Sequence, residues 1–240
     1  MEPVSGAASS SITVAHLLPR TGPTYVTLNV IEVDRFGSGG DRRKSPVTSG
    51  SGYVVAADGL VMTAAHVAVQ KDFEVSARAA NGRVYSGRVI AINPTNDMAI
   101  IKLRGYTGRP VVPASPGCVN SGDTVFTLGR PHAQGDTARV GSLVARHFGR
   151  AVSYGGFGYP DALVMQMGTQ KGESGGPVYD SKGGFVGMVV STLTDANGNL
   201  INYAHAIPST ALAKFLCTQT SCSSGWAQLA RSDVDTCDGA

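Results

Sequence analysis

Gly172-Glu173-Ser174-Gly175-Gly176-Pro177 sets a single serine between two small-residue turns. Glycine accepts backbone angles that other residues resist, so this stretch can turn sharply and expose the Ser174 hydroxyl. A hydroxyl is a weak nucleophile unless a base stands beside it. Gly172 lies two residues before Ser174, a spacing that can aim the backbone N–H groups of Gly172 and Ser174 at one point, as an oxyanion hole requires. Taken alone, the stretch also reads as an ordinary glycine-rich loop. The decision therefore passes to the histidines and acids elsewhere in the chain.

Five histidines are present: His16, His66, His132, His147 and His205. His66 differs from the rest because Thr63-Ala64-Ala65 brings it to the end of an apolar strand, a rigid place for a general base. Asp97 precedes Met98-Ala99-Ile100-Ile101 and is about to enter the core. A buried carboxylate needs a partner, and an acid beside the base fixes its tautomer and stabilises the imidazolium. The other reading of Asp97 is a cap on the turn formed by residues 93–96. The order His66, Asp97, Ser174 is one of the chain orders in which a Ser-His-Asp triad occurs.

Around these residues the chain reads as about a dozen short strands and one terminal helix. Strands are expected at 25–33, 51–56, 60–63, 73–79, 83–92, 98–103, 125–129, 136–145, 163–167, 178–179, 184–191 and 200–207. Asp58-Gly59 and Asn81-Gly82 are hairpin signals. Residues 34–50 and 149–159 read as loops, the second rich in glycine and aromatics and expected to be adaptable. Asp195-Ala196-Asn197-Gly198-Asn199 reads as a turn. Pro19 and Pro23 are expected to break any helix in residues 1–23. A helix is expected at 210–216. A pair of antiparallel barrels fits this pattern, and no internal repeat is evident.

The composition narrows the class. The 240 residues are 42% hydrophobic and only 15% charged, with 31 glycines and 12 prolines, which suits a folded chain of many strands and turns rather than a disordered one. Twenty basic residues against 17 acidic give a net charge of +3, too balanced to imply nucleic acid. Arg42-Arg43-Lys44 reads as a solvated loop. No apolar run is long enough for a spanning helix. Met1 to Ser11 is small and polar, without the basic start and apolar run of a secretory signal. Either export by that route does not occur, or the chain is a mature form, which favours an extracytoplasmic or secreted location. Of the four cysteines, Cys217, Cys222 and Cys237 crowd into the Ser/Asp/Thr-rich end, where a disulfide staple is the expectation. With Cys118 they allow three full pairings. No metal cluster is expected, and Gly37-Ser38-Gly39-Gly40 lacks the Lys-Ser/Thr ending of a phosphate loop.

Taken together, Thr63-Ala64-Ala65-His66, Asn96-Asp97-Met98-Ala99-Ile100 and Gly172-Glu173-Ser174-Gly175-Gly176-Pro177 resemble a trypsin-like serine peptidase, and most nearly the HtrA/Deg branch. That branch has Gly-Ser-Gly before a strand, as in Ser49-Gly50-Ser51-Gly52-Tyr53. It has an Asp-Gly hairpin leading to the histidine, as at Asp58-Gly59, and a last strand ending Ala206-Ile207-Pro208. The resemblance covers residues 25–216. It implies an all-β fold of two six-stranded antiparallel barrels with a short C-terminal helix. Its parts would be an arm (1–24), barrel 1 (about 25–104), a connector (105–121), barrel 2 (about 122–208) and a Cys-containing tail (217–240).

The resemblance also implies a serine endopeptidase with Ser174 as nucleophile, His66 as base, Asp97 as orienting acid and the N–H groups of Gly172 and Ser174 as oxyanion hole. It needs no cofactor or metal, acts on proteins or peptides, and implies a homotrimer formed through N-terminal segments. The residue six before the serine, Gly168, would form the base of the specificity pocket, with Thr169, Val190, Ser191, Thr192 and Ala204 as walls. These small or apolar residues favour Val, Ala, Leu or Met before the scissile bond, and Lys171 would draw acidic residues to neighbouring subsites. The chain departs from the pattern at Glu173, where the HtrA branch usually has Asn and the digestive enzymes Asp; Glu173 is expected to pair elsewhere or face solvent. No PDZ domain is evident, and no cysteine stands beside His66 or Ser174. Two other readings remain: a protease-fold protein that binds without cutting, and a viral or polyprotein-processing protease that acts on its own junction.

Overall fold

The computed structural model describes residues 6–33, 44–133, 135–194, 197 and 199–237. Strands β1 (Tyr25–Val33), β2 (Lys44–Ala56), β3 (Leu60–Thr63), β4 (Glu74–Ala79), β5 (Val84–Asn93) and β6 (Met98–Leu103) close into one barrel in the order β1-β2-β3-β6-β5-β4. Alternation sets the inner face: along β4 every second residue is buried. In β6 the run Met98-Ala99-Ile100-Ile101 is buried throughout.

The second half adds β7 (Thr124–Gly129), β8 (Thr137–Ala145), β9 (Val152–Tyr154), β10 (Phe157–Tyr159), β11 (Leu163–Gln166), β12 (Pro177–Asp180), β13 (Phe185–Thr194) and β14 (Leu200–Pro208). Six of these close a second barrel in the order β11-β14-β13-β12-β7-β8, while β9 and β10 form a separate two-stranded hairpin. The fold is thus all-β with two six-stranded antiparallel barrels. Val125, Leu143, Leu163, Met165, Val178, Val189, Ala204 and Ala206 form one buried cluster in the second barrel. A larger cluster fills the first barrel and continues through Phe126, Tyr179 and Phe185 into the C-terminal helices.

Four helices complete the described residues: α1 (Gly6–Thr21), α2 (Ala65–Ala68), α3 (Ser209–Gln219) and α4 (Ser224–Leu229). No helix among the described residues is long and apolar enough to cross a membrane.

Four departures from the sequence reading have physical causes. First, Pro19 does not prevent a helix; it sits in the last turns of α1. There its missing N–H forfeits one hydrogen bond near the end, a cost of about 3 kcal/mol in a helix interior. Packing offsets that cost: Val14 and Thr21 are buried and Leu17 packs on the core. The frayed turn is held by Thr21 Oγ1 donating to Leu17 O at 3.0 Å and Thr24 Oγ1 donating to Thr21 O at 2.7 Å. Second, β2 begins at Lys44, so the end of the expected 34–50 loop is strand. Its partner β1 extends far enough to pair Asn29 with Ser49 and Val30 with Thr48. Third, the expected 149–159 loop contains the β9–β10 hairpin. Fourth, the chain continues past the one expected terminal helix: Cys217 belongs to α3, and a further helix, α4, buries Trp226 against Phe185, ring centroids 5.7 Å apart. Arg42 and Arg43, the Gly37–Gly40 stretch and most of the expected turn at 195–199 lie outside the described residues.

Of the three possible cysteine pairings, the structure has Cys118–Cys237 and Cys217–Cys222. The first joins the tail to the connector between the barrels. His147 reinforces the same join, with Nδ1 2.6 Å from Asp161 Oδ2 and Nε2 3.0 Å from Asp235 Oδ2. These two hydrogen bonds, Asp161 first, raise the His147 pKa above its ordinary 6.5.

Trp226→Ala should destabilise the protein by about 3–5 kcal/mol, read from urea or thermal denaturation followed by circular dichroism. A loss below about 1 kcal/mol would mean that the tail is not part of the core. The His147 site gives a pH signature. A raised folded-state pKa stabilises the fold fully below the unfolded value and loses that contribution as pH rises through the folded value. The stability gap between wild type and His147→Gln should therefore be largest below the ordinary value of 6.5 and shrink as the pH rises above it; a pH-independent gap would contradict the assignment.

Candidate active site

Asp97 follows a 3₁₀ turn, Pro94–Asn96, and has left-handed backbone angles, φ 48° and ψ 46°. Aspartate tolerates this region better than most residues. The turn is capped by Asn93, whose Oδ1 accepts from the Asn96 N–H at 3.2 Å, so the Asp97 side chain is free for another use. Its carboxylate is fully buried and lies 2.8 Å (Oδ2) and 3.1 Å (Oδ1) from His66 Nδ1. Oδ1 also accepts the His66 backbone N–H at 2.9 Å. One carboxylate thus fixes both the ring and the backbone of His66, which stands in α2 just after β3 with its side chain 22% exposed. With Nδ1 turned to Asp97, the other ring nitrogen is left for proton transfer.

Ser174 is half-buried and lines a cleft of about 470 Å³ together with His66, Lys171 and Gly172. The loop that carries it is held from the first barrel by one residue. Ser51 of β2 donates its N–H to Ser174 O at 2.9 Å and its hydroxyl to Gly172 O at 2.8 Å. Gly175, at φ 82°, is pressed against the same wall: a Cβ there would lie 2.3 Å from Ser51 O and 2.2 Å from Thr63 Oγ1. No other residue fits. Gly172 has φ 99°, and the Lys171 carbonyl before it accepts from the His132 N–H at 2.9 Å. In a trans peptide C=O and N–H point in opposite directions. The Gly172 N–H therefore points away from the His132 turn, and among the described residues neither it nor the Ser174 N–H meets an acceptor.

Glu173, between these two, is fully buried rather than exposed. Its Oε1 accepts from Arg139 Nε at 2.6 Å, and its Oε2 accepts the Gln170 N–H at 2.5 Å. The sequence marked Glu173 as unusual without naming the partner, which lies on β8.

Gly168, Thr169, Thr192 and Ala204 come together. Thr169 and Thr192 hydroxyls are 2.8 Å apart, Thr192 pairs with Ala204 across β13–β14, and a Cβ at Gly168 would lie 2.9 Å from Asn202 Oδ1. Val190 and Ser191 do not join them. Val190 packs in the large core cluster, and the Ser191 hydroxyl is 2.8 Å from Tyr159 Oη, which in turn meets His205 Nδ1 at 2.8 Å. Burial, then Arg150, lower the His205 pKa and keep it neutral.

Tyr154 was not singled out from the sequence. It stands on β9, and its hydroxyl donates to Asp97 Oδ2 and lies 3.3 Å from His66 Nδ1. Its ring meets the His66 ring edge-on at 5.7 Å, and Phe157 of β10 lies 6.4 Å from the same imidazole. The aromatic content of residues 154–159 was the available signal; which ring faces the histidine is set by the hairpin register.

Residues 50–188 match the family described as a trypsin-like peptidase domain. The chain is 30% identical over 208 residues to the mitochondrial serine protease HTRA2 of Bos taurus, covering 85% of this chain and 42% of that protein. It is 31% identical over 166 residues to a probable periplasmic serine endoprotease, DegP-like, of Brucella suis, covering 68% of this chain and 31% of that protein. It therefore spans less than half the length of either relative. Among solved structures it is similar to the HtrA-type protease AlgW with decapeptide, at a TM-score of 0.69 and 20% identity, covering 84% of this chain and 65% of that one. This last likeness concerns the fold.

Breaking a buried ion pair strands the remaining charge. Arg139→Met should cost about 3 kcal/mol, and adding Glu173→Gln should recover part of that loss, because the stranded charge is gone. A double-mutant cycle on urea midpoints checks this; additive losses would show that the pair is not coupled.

Proposed function

The chain belongs to the trypsin-like peptidase family, and on that premise we propose that it is a serine endopeptidase in which Ser174, His66 and Asp97 form the triad. The observation that carries this reading is the 2.8 Å contact of buried Asp97 with His66 Nδ1, with His66 and Ser174 on one cleft. Ser174 Oγ attacks the peptide carbonyl carbon as His66 takes the hydroxyl proton. Charge develops on the carbonyl oxygen, and the N–H groups of Gly172 and Ser174 are placed to receive it. His66 then gives the proton to the leaving amine. Water, activated by the same imidazole, releases the acyl group. Asp97 remains ionised and orients the ring throughout.

For specificity we assign Gly168, Thr169, Thr192 and Ala204 to the pocket. It is small and uncharged, which suits Val, Ala, Leu or Met before the scissile bond and disfavours Lys and Arg. The decapeptide held by AlgW is in keeping with a peptide as ligand. Assembly into a trimer is a further part of this reading. An extracytoplasmic location fits the periplasmic relative and two disulfides, which persist in oxidising compartments.

Casein or a fluorogenic peptide library tests both levels. Ser174→Ala and His66→Ala should abolish turnover, and Asp97→Asn should lower kcat by about 10⁴-fold. Unchanged cleavage by Ser174→Ala would end the triad assignment. Dominant cleavage after Arg would overturn the pocket while leaving the triad intact.

A further inference from the structure

We propose that Tyr154 is a positioning residue of the triad: its hydroxyl, delivered by the β9–β10 hairpin, holds the Asp97 carboxylate and through it the His66 ring. The inference rests on the serine-peptidase reading but comes from a contact that reading does not require.

The hydrogen bonds to Asp97 define the role. Oδ1 receives the His66 backbone N–H, and both oxygens face His66 Nδ1. Among the described residues, the donor to Asp97 from outside His66 is Tyr154, at Oδ2. Asp97 has no solvent exposure, so no bulk water is at hand to replace a lost donor. Tyr154 also holds the imidazole sterically, ring edge to ring face at 5.7 Å and 70°. Without the hydroxyl, the carboxylate could rotate and carry the His66 ring with it.

The hairpin is fixed well enough to deliver this contact. At its neck, Asp161 Oδ1 accepts the N–H groups of Phe148 (2.8 Å), Gly149 (3.0 Å) and Ala162 (2.8 Å). At its far strand, Tyr159 is anchored to Ser191 and His205. Strand β10 packs on the Pro94–Asn96 turn that precedes Asp97. The hydroxyl remains a donor across the working pH range, since burial, and then the Asp97 charge, raise its pKa well above the usual phenol value.

The hairpin is inserted between two strands of the second barrel, β8 and β11, whereas Asp97 and His66 belong to the first. The Tyr154 bond therefore sets the acid–base pair against the barrel that carries Ser174.

The test compares wild type, Ser174→Ala and Tyr154→Phe as full-length protein. Tyr154→Phe keeps the ring and removes one oxygen. Expected are a fall in kcat of about 10- to 100-fold, KM within about two-fold of wild type, and a thermal midpoint within about 3 °C. In proton NMR, the downfield signal of the His66 Nδ1 proton should shift or broaden. An unchanged kcat, or a loss carried wholly by KM, overturns the proposal. So does a large drop in midpoint with an unmoved downfield signal, which would make the hydroxyl merely structural. If wild type shows no turnover that depends on Ser174, the peptidase reading fails by itself. The NMR comparison still decides the role of Tyr154, because it needs no substrate.

Discussion

The seam between the two barrels is the constraint on which the rest of the structure depends. His66 and Asp97 are built on the first barrel and Ser174 on the second, so neither barrel alone brings the three side chains of the proposed triad together. Functional groups must be held to about half an ångström, and hydrophobic contact cannot supply that, because it is non-directional. Tyr53 meets Phe185 across the seam with ring centroids 4.4 Å apart, Trp226 packs edge-on against the same Phe185, and together they provide adhesion. Registry at the site is helped by two polar contacts running in opposite directions, beside the Arg78–Asp136 ion pair that also joins the two halves. Ser51 reaches from the first barrel to the carbonyls of Gly172 and Ser174. Tyr154 reaches from the second barrel's insertion to Asp97.

Glu173 fits into the same scheme. A carboxylate with no solvent exposure next to Ser174 would be costly without a partner. Arg139 and the Gln170 N–H satisfy both oxygens. Because Arg139 belongs to β8, this partner is present as soon as the second barrel closes. No chain cleavage is needed to create it, in contrast to the digestive enzymes that the resemblance brings in. The Glu173 side chain also passes Gly129 so closely that a Cβ there would lie 2.7 Å from Glu173 Cγ. The ion pair is therefore bounded by β7 as well as β8, and the loop from Gln170 to Ser174 is anchored at its middle. The Ser51 bonds hold it at Gly172 and Ser174, and the His132 N–H holds it at Lys171. Four consecutive residues are tied to three neighbours, Lys171 to His132, Glu173 to Arg139, and Gly172 and Ser174 to Ser51, which leaves the loop little freedom to turn its N–H groups elsewhere.

What could be read from the sequence was whatever local order determines. Strands β1, β3 and β6 fall where alternation and the Asp58-Gly59 turn place them, because side-chain period and turn chemistry are properties of neighbouring residues. His66, Asp97 and Ser174 were legible because each sits in a short motif. The partners were not. Tyr154 meets Asp97 across 57 positions and Arg139 meets Glu173 across 34, and nothing in local periodicity selects one aromatic or one arginine over another. The helix through Pro19 failed for the same reason: a local rule against helix was outweighed by burial of Val14, Leu17 and Thr21 on a distant surface. Val190 and Ser191 were assigned to the pocket by resemblance, and their partners in the core and at Tyr159 lie beside an irregularity in the β13–β14 register between Val189 and Ser191. A bulge moves side chains to another face, and its position is not announced by the residues themselves.

These contacts divide the labour between stability and alignment. The buried clusters contain most of the apolar area, and losing a side chain there removes stability without a preferred direction of movement. The polar contacts at the seam involve few residues, yet their hydrogen bonds have defined donors and acceptors, and the loss of one permits a specific rotation. Ser51 illustrates the difference. Its side chain is small and contributes almost nothing to packing, but its hydroxyl holds the Gly172 carbonyl, its backbone N–H holds the Ser174 carbonyl, and Thr63 bonds its own carbonyl at 2.7 Å. Thr63 lies just before Ala64, Ala65 and His66 in the chain. A displacement of Ser51 would therefore reach the serine through its bonds to Gly172 and Ser174, and the histidine through Thr63. The strand that looks least specialised in composition, the Ser/Gly-rich part of β2, is thus the element through which the two halves of the site are held at one distance.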